Sequence, residues 1–263
     1  MAEKPSLLVI VPSRLKQGAD GKLFLEKAIS SIARQSAAAN LAIDIAVGVD
    51  PGQAAPGGTG FPANVRFVQA AAASQAAALN AAAKGFSHAY LAILEDDDEW
   101  HPSFLAVAMN ALQRAAFVSS TQIEATPRGD VVCIYDFPTP SGWVMERKVW
   151  DGIGGFDETY RYHLDNEWLG RLGNSGVKRA HLVEATAPLE PSRLMKLRPC
   201  LHLVLANGGK TSGLLRHQSP LPLVRRLAHD GSGMHAIVSD LVAQQRSKTE
   251  MAQLKERFGR IPW

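Results

Sequence analysis

The sequence predicts an α/β fold, a mainly parallel sheet flanked by helices. Three observations carry that expectation. Short apolar runs recur, each stopped by a turn residue or an acid, as strands buried on both faces do. Segments with apolar residues at helical spacing separate them. The alternation runs from Ser6 to Leu94, which is how successive strand–helix–strand units with crossover connections read.

Ser6 to Val11 (SLLVIV) is the first strand, closed by Pro12. Leu25, Ala28, Ile29 and Ile32 then place one apolar stripe on a helix over Phe24 to Gln35. Ile43 to Val49 (IDIAVGV) is a second buried strand that ends at Asp50, and a Pro/Gly-rich loop follows from Pro51 to Pro62. Val65 to Val68 is a brief third strand. Ser74 to Lys84 is an alanine-rich helix that Gly85 stops. Ala89 to Leu94 (AYLAIL) is a fourth strand, running straight into Glu95-Asp96-Asp97-Asp98-Glu99. Beyond it, Val131 to Tyr135 and Trp143 to Met145 read as strands. Arg147 to Ile153 and Asp165 to Asn174 read as helices, and Val238 to Arg257 as a polar, peripheral helix. PLEPSRLMKLRP and SPLPL, after Pro188, are rich in turn residues.

Composition removes several classes. With 46% hydrophobic and 20% charged residues the chain is neither disordered nor low in complexity. Its 2 cysteines, Cys133 and Cys200, build neither a disulfide framework nor a zinc cluster. No apolar run is long enough to span a bilayer, and the N-terminal apolar stretch lacks a cleavage site, so a cytoplasmic protein is expected. Charge is uneven. Residues 191 to 263 carry 12 Lys and Arg against 4 Asp and Glu. That surplus suggests a contact with phosphates, a membrane surface or nucleic acid.

The strongest chemical signal is LEDDDEWHP, Leu94 to Pro102. In an open parallel sheet, ligands bind beyond the carboxyl ends of the strands. Consecutive acids at such an end repel one another unless a cation neutralises them. Clustered carboxylates suit hard ions such as Mg²⁺ or Mn²⁺, which in turn hold phosphate oxygens. Two other motifs fail. Asn207 to Thr211 (NGGKT) has the tail of a phosphate-binding loop, but Val204 stands where its first Gly is required. Gly57-Gly58-Thr59-Gly60 opens no helix after a strand.

From this point the chain resembles glycosyltransferase family 2, whose members have the GT-A fold. The residues that carry the resemblance are Val9-Ile10-Val11-Pro12-Ser13-Arg14, Val47-Gly48-Val49-Asp50, Ala77-Ala78-Leu79-Asn80-Ala81 and Leu94 to Pro102. Arg147 to Glu158 (RKVWDGIGGFDE) and the helix Asp165 to Leu172 follow in the family's order. The resemblance implies a metal-dependent, inverting transferase in residues 1–190. Its nucleotide half would be about 1–102 and its acceptor half about 103–190, with 191–263 a basic extension packing on it.

The same resemblance implies roles. Pro12, Ser13 and Arg14 would line the nucleotide pocket, and Asp50 would read the base. Asn80 would contact the donor, Asp96 would lie near the ribose, and Asp98 near the donor sugar. Asp97 would bind Mn²⁺ or Mg²⁺ on the diphosphate, with a late histidine as a further ligand. Among His202, His217, His229 and His235, His217 is the residue taken for that role. Asp165 would be the general base, with Glu167 the competitor because Leu164 stands where the family has Glu. Arg14 replaces an aromatic residue, Pro51 a second Asp, and Leu79 an Arg. A UDP-sugar is the leading donor, but those replacements leave the base open. The acceptor, whether glycan, lipid-linked, protein or nucleic acid, is open too. Trp143 and Trp168 suit either sugar stacking or core packing. Two other classes remain: a nucleotidyltransferase that makes sugar nucleotides, and a non-catalytic nucleotide-sugar binding module.

Overall fold

A computed structural model describes residues 4–262 apart from 19, 57–59, 136, 186–213 and 231–232. Its first half is β1 (Ser6–Ser13), α1 (Phe24–Ala33), β2 (Ala42–Val49), β3 (Val65–Gln69), α2 (Gln75–Ala83), β4 (Tyr90–Ile93), β5 (Glu99–Trp100) and α3 (Phe104–Ala111). There follow β6 (Phe117–Ser120), β7 (Gln122–Ala125), β8 (Val131–Tyr135), β9 (Trp143–Glu146), α4 (Arg147–Ile153), α5 (Leu164–Asn174) and β10 (Arg179–Val183). The C-terminal part holds β11 (Leu214–Arg216), β12 (Val224–Leu227), α6 (Gly233–Ser239) and α7 (Leu241–Phe258).

Among the described residues the main sheet has eight strands in the order β11-β10-β6-β9-β4-β1-β2-β3. Only β9 runs antiparallel to its neighbours, β4 and β6. The alternation of β1 explains why its sequence is apolar throughout. Leu7, Val9 and Val11 face α1 and α3, whereas Leu8 and Ile10 face α2, α4 and α5, and all five are fully buried. The alanines of α2 let that helix lie directly on β2: a Cβ on Gly48 would stand 2.0 Å from the carbonyl oxygen of Ala78. Trp143 and Trp168 are core residues, fully buried with ring centroids 5.1 Å apart, so neither is available to stack on a sugar.

Two expectations about the C-terminal region change. The helix expected over Val238 to Arg257 is two helices, because Asp240 caps α7 by accepting from the Val242 and Ala243 N–H groups at 2.7 and 2.9 Å. It is not peripheral either, since Ser247, Glu250 and Leu254 of α7 are buried against the body. The described part of 191–263 is woven into the domain. β11 pairs with β10 on the main sheet. β12 enters a second sheet of order β5-β12-β7-β8, parallel to β7.

Candidate functional site

A cleft of about 580 Å³ opens at the carboxyl ends of β1, β2 and β4. Its floor is the acid run. β1 ends on Ser13, whose hydroxyl donates to Asp96 Oδ2 at 2.6 Å and also accepts from the Leu15 N–H. After β4 the chain turns, with the Asp98 N–H bonded to the Glu95 carbonyl at 3.1 Å. Gln75, in the first turn of α2, donates to Glu95 Oε1 at 2.5 Å. Ser141, before β9, accepts from the Glu95 N–H and donates to Asp98 Oδ2 at 2.6 Å.

β12 supplies what the run itself lacks. The Leu227 N–H reaches Asp98 Oδ1 at 3.2 Å, and His229 Nε2 meets Asp97 Oδ2 at 2.8 Å. Arg226 lies among Glu95, Asp98 and Glu124, with its guanidinium 5.0 Å from the Tyr135 ring centroid. The charges balance poorly. Burial, then the neighbouring Asp97 charge, pushes Glu95 up to about 7 and Asp96 up to about 6. Asp98, 2% exposed, is raised for the same reasons, with Glu95 adding to them. Burial opposes charge on Arg226, but Asp98, Glu95 and Glu124 outweigh it and hold the guanidinium protonated. His229 is raised by its bond to Asp97. Arg226 and His229 thus face several carboxylates.

Glu95, Asp97 and Asp98 each place a carboxylate oxygen within 4.8 Å of the others. Three hard oxygen donors this close together fit a divalent cation that would relieve their repulsion.

Another wall of the cleft is the loop before α5 and its first turn, Arg161 to Asn166. Asp165 sits in that turn and its Oδ1 accepts from the Asn166 N–H at 2.8 Å. Burial raises its pKa against that bond, and its charge in turn contributes to the rise at Glu95. Pro12, Arg14 and Asp50 line the cleft with Ser13.

Three expected site residues lie elsewhere. Asn80 points away from the cleft and clasps Phe156, donating to its carbonyl at 2.9 Å and accepting from its N–H at 2.8 Å. Glu167 is fully buried, bound to Arg171 at 2.7 and 2.8 Å and to Arg257 at 2.9 Å, and does not line the cleft. His217 is buried near Glu184 and His101, outside the cleft lining; His229 is the late histidine that reaches Asp97. His235 is about half-exposed, and His202 lies outside the described residues. Sequence reasoning passed over Gln75, Ser141 and Arg226. Nothing local marks the last two, because they reach the acids through strand pairing with distant segments.

No family model matches the sequence, and no curated protein matches it significantly. Solved structures do. S. aureus TarS 1–349 in complex with UDP is similar with a TM-score of 0.53 at 11% identity, over 97% of this chain and 72% of that one. A longer S. aureus TarS gives 0.50 at 11% identity, over 96% of this chain and 43% of that one. The sheet order, the cleft beyond its carboxyl edge and this likeness together show that the chain has a GT-A-like α/β fold.

Proposed function

We propose that the chain is a nucleotide-sugar glycosyltransferase that transfers a hexose to an acceptor hydroxyl with inversion. One observation carries the proposal: an acid floor able to hold a metal diphosphate and a separate carboxylate, Asp165, line the same cleft. Asp97, Glu95 and Asp98 would hold Mn²⁺ or Mg²⁺. When bound, that ion supplies charge neutralisation for the departing diphosphate. The likeness to a structure bound to UDP supports a UDP-sugar as donor.

The remaining chemistry falls to the chain's own groups. Ser13 holds Asp96 at 2.6 Å on the β1 side, where Asp50 and Arg14 form the wall for the nucleoside. His229 fixes the orientation of the Asp97 carboxylate. Asp165, raised by burial, is a stronger base than a solvated aspartate. It takes the acceptor's proton as the hydroxyl oxygen bonds to the anomeric carbon and the bond to the diphosphate breaks. A single displacement of this kind inverts the anomeric centre.

The test is turnover of a UDP-sugar, with nucleoside diphosphate release as the signal and water as the default acceptor. Asp165→Asn is expected to keep nucleotide binding and lose on the order of 10²–10⁴ in rate. Binding without turnover in the unaltered chain would favour a non-catalytic module. Pyrophosphate release from a nucleoside triphosphate and a sugar phosphate would favour a nucleotidyltransferase.

A further inference from the structure

Residues 246 to 262 converge on one stretch of chain, the wall that carries Asp165. The Glu250 carboxylate, 3% exposed, accepts from three consecutive backbone N–H groups: Arg161 at 2.8 Å, Tyr162 at 2.8 Å and His163 at 3.0 Å. One helical turn away, the Ser247 hydroxyl meets His163 Nε2 at 2.8 Å. The Pro262 carbonyl accepts from Asn166 Nδ2 at 2.7 Å, and Arg257 pairs with Glu167 at 2.9 Å. Phe258 packs so closely on α5 that a Cβ at Gly170 would stand 2.6 Å from its ring.

A loop whose amides have no partner in a helix or sheet is otherwise free to move. Bonds from N–H groups to a carboxylate are stronger than those to a neutral oxygen. Three of them to one side chain fix the path of residues 161–163, and α5 begins at the next residue.

We infer that Glu250 is a positioning residue for the proposed transfer: by binding three amides of the wall it sets where Asp165 meets the acceptor. The inference rests on the glycosyltransferase reading. It predicts that donor binding, built from β1, β2 and the acid floor, does not depend on Glu250, whereas turnover does.

The experiment compares the unaltered chain with Glu250→Ala, Glu250→Gln and a control on the same helix, Lys248→Ala. Lys248 is exposed and donates to Gln244 on its own helix. Amide hydrogen exchange at Arg161, Tyr162 and His163 is expected to quicken at least about tenfold in Glu250→Ala and to stay unchanged in the control. Stabilisation by UDP with Mn²⁺ should persist. UDP-sugar turnover should fall on the order of 10²-fold, with donor KM held within about twofold. Glu250→Gln, whose single carbonyl oxygen still accepts, should be intermediate, and it carries the test if the alanine variant does not fold. Unchanged exchange in Glu250→Ala would overturn the inference, as would quickened exchange with full turnover. An unaltered chain that neither binds nucleotide nor turns over a UDP-sugar would overturn the glycosyltransferase reading instead. The exchange arm would still decide whether Glu250 holds the wall.

Discussion

Asn80 lies in a motif whose resemblance implies a ligand contact, yet its amide reaches the backbone of Phe156 on the far side of α2. It serves the site at one remove, by fixing the stretch that leads towards α5. Asn80→Ala would leave the Phe156 N–H and carbonyl unpaired and should cost about 2 kcal/mol in denaturant unfolding. Nucleotide affinity should be unchanged. His217 gives a pH signature of its own. Burial, with a smaller push from His101, lowers its pKa against the pull of Glu184. Neither ring nitrogen has a hydrogen-bond partner among the described residues. The unfolded chain therefore binds a proton more readily than the folded one below the ordinary histidine value, near pH 6.5. Stability from this group is complete above that pH and declines as pH falls through it. Unfolding measured at pH 7.5 and 5.0 should show a smaller loss on acidification in His217→Gln than in the unaltered chain.

At the scale of elements, legibility followed burial and length. β1, β2 and β4 are apolar runs buried on both faces, and α2 announces both ends, with Ser74 accepting from the Ala77 N–H and Gly85 at a φ of +83°. β6, β7 and β12 are four residues each and mix polar with apolar side chains (FVSS, QIEA, VRRL), too short and too mixed to show a period. That blind spot reached the site. Arg226 and His229 arrive beside acids more than a hundred residues earlier in the chain because β12 pairs with β5 and β7, a register no local pattern encodes. For the same reason His217, which sits at the end of β11, could not be told from His229 by sequence position. The packing of α2 on β2 makes a sharper prediction. Gly48→Ala forces a methyl into the Ala78 carbonyl, and backbone cannot yield as a flexible side chain would. The loss should be on the order of 3 kcal/mol or more, read as a fall in Tm.

At the scale of the molecule, the basic C-terminal surplus has a partly internal purpose. Arg226 sits among the floor acids, while Arg246 pairs with Glu250 and Arg257 with Glu167. These charges pair with acids of the site and of the wall beside it. No helix among the described residues is long and apolar enough to cross a membrane. The central claim is that the acid floor binds a nucleoside diphosphate through a divalent cation held by Asp97. Its most direct test is thermal stabilisation by UDP, GDP, dTDP and CDP, each with and without Mn²⁺, in the unaltered chain and in Asp97→Ala. A shift for one nucleotide, UDP first, that requires Mn²⁺ and disappears in Asp97→Ala is the predicted result. A shift of the same size without Mn²⁺, one that survives in Asp97→Ala, or none with any nucleotide would contradict it.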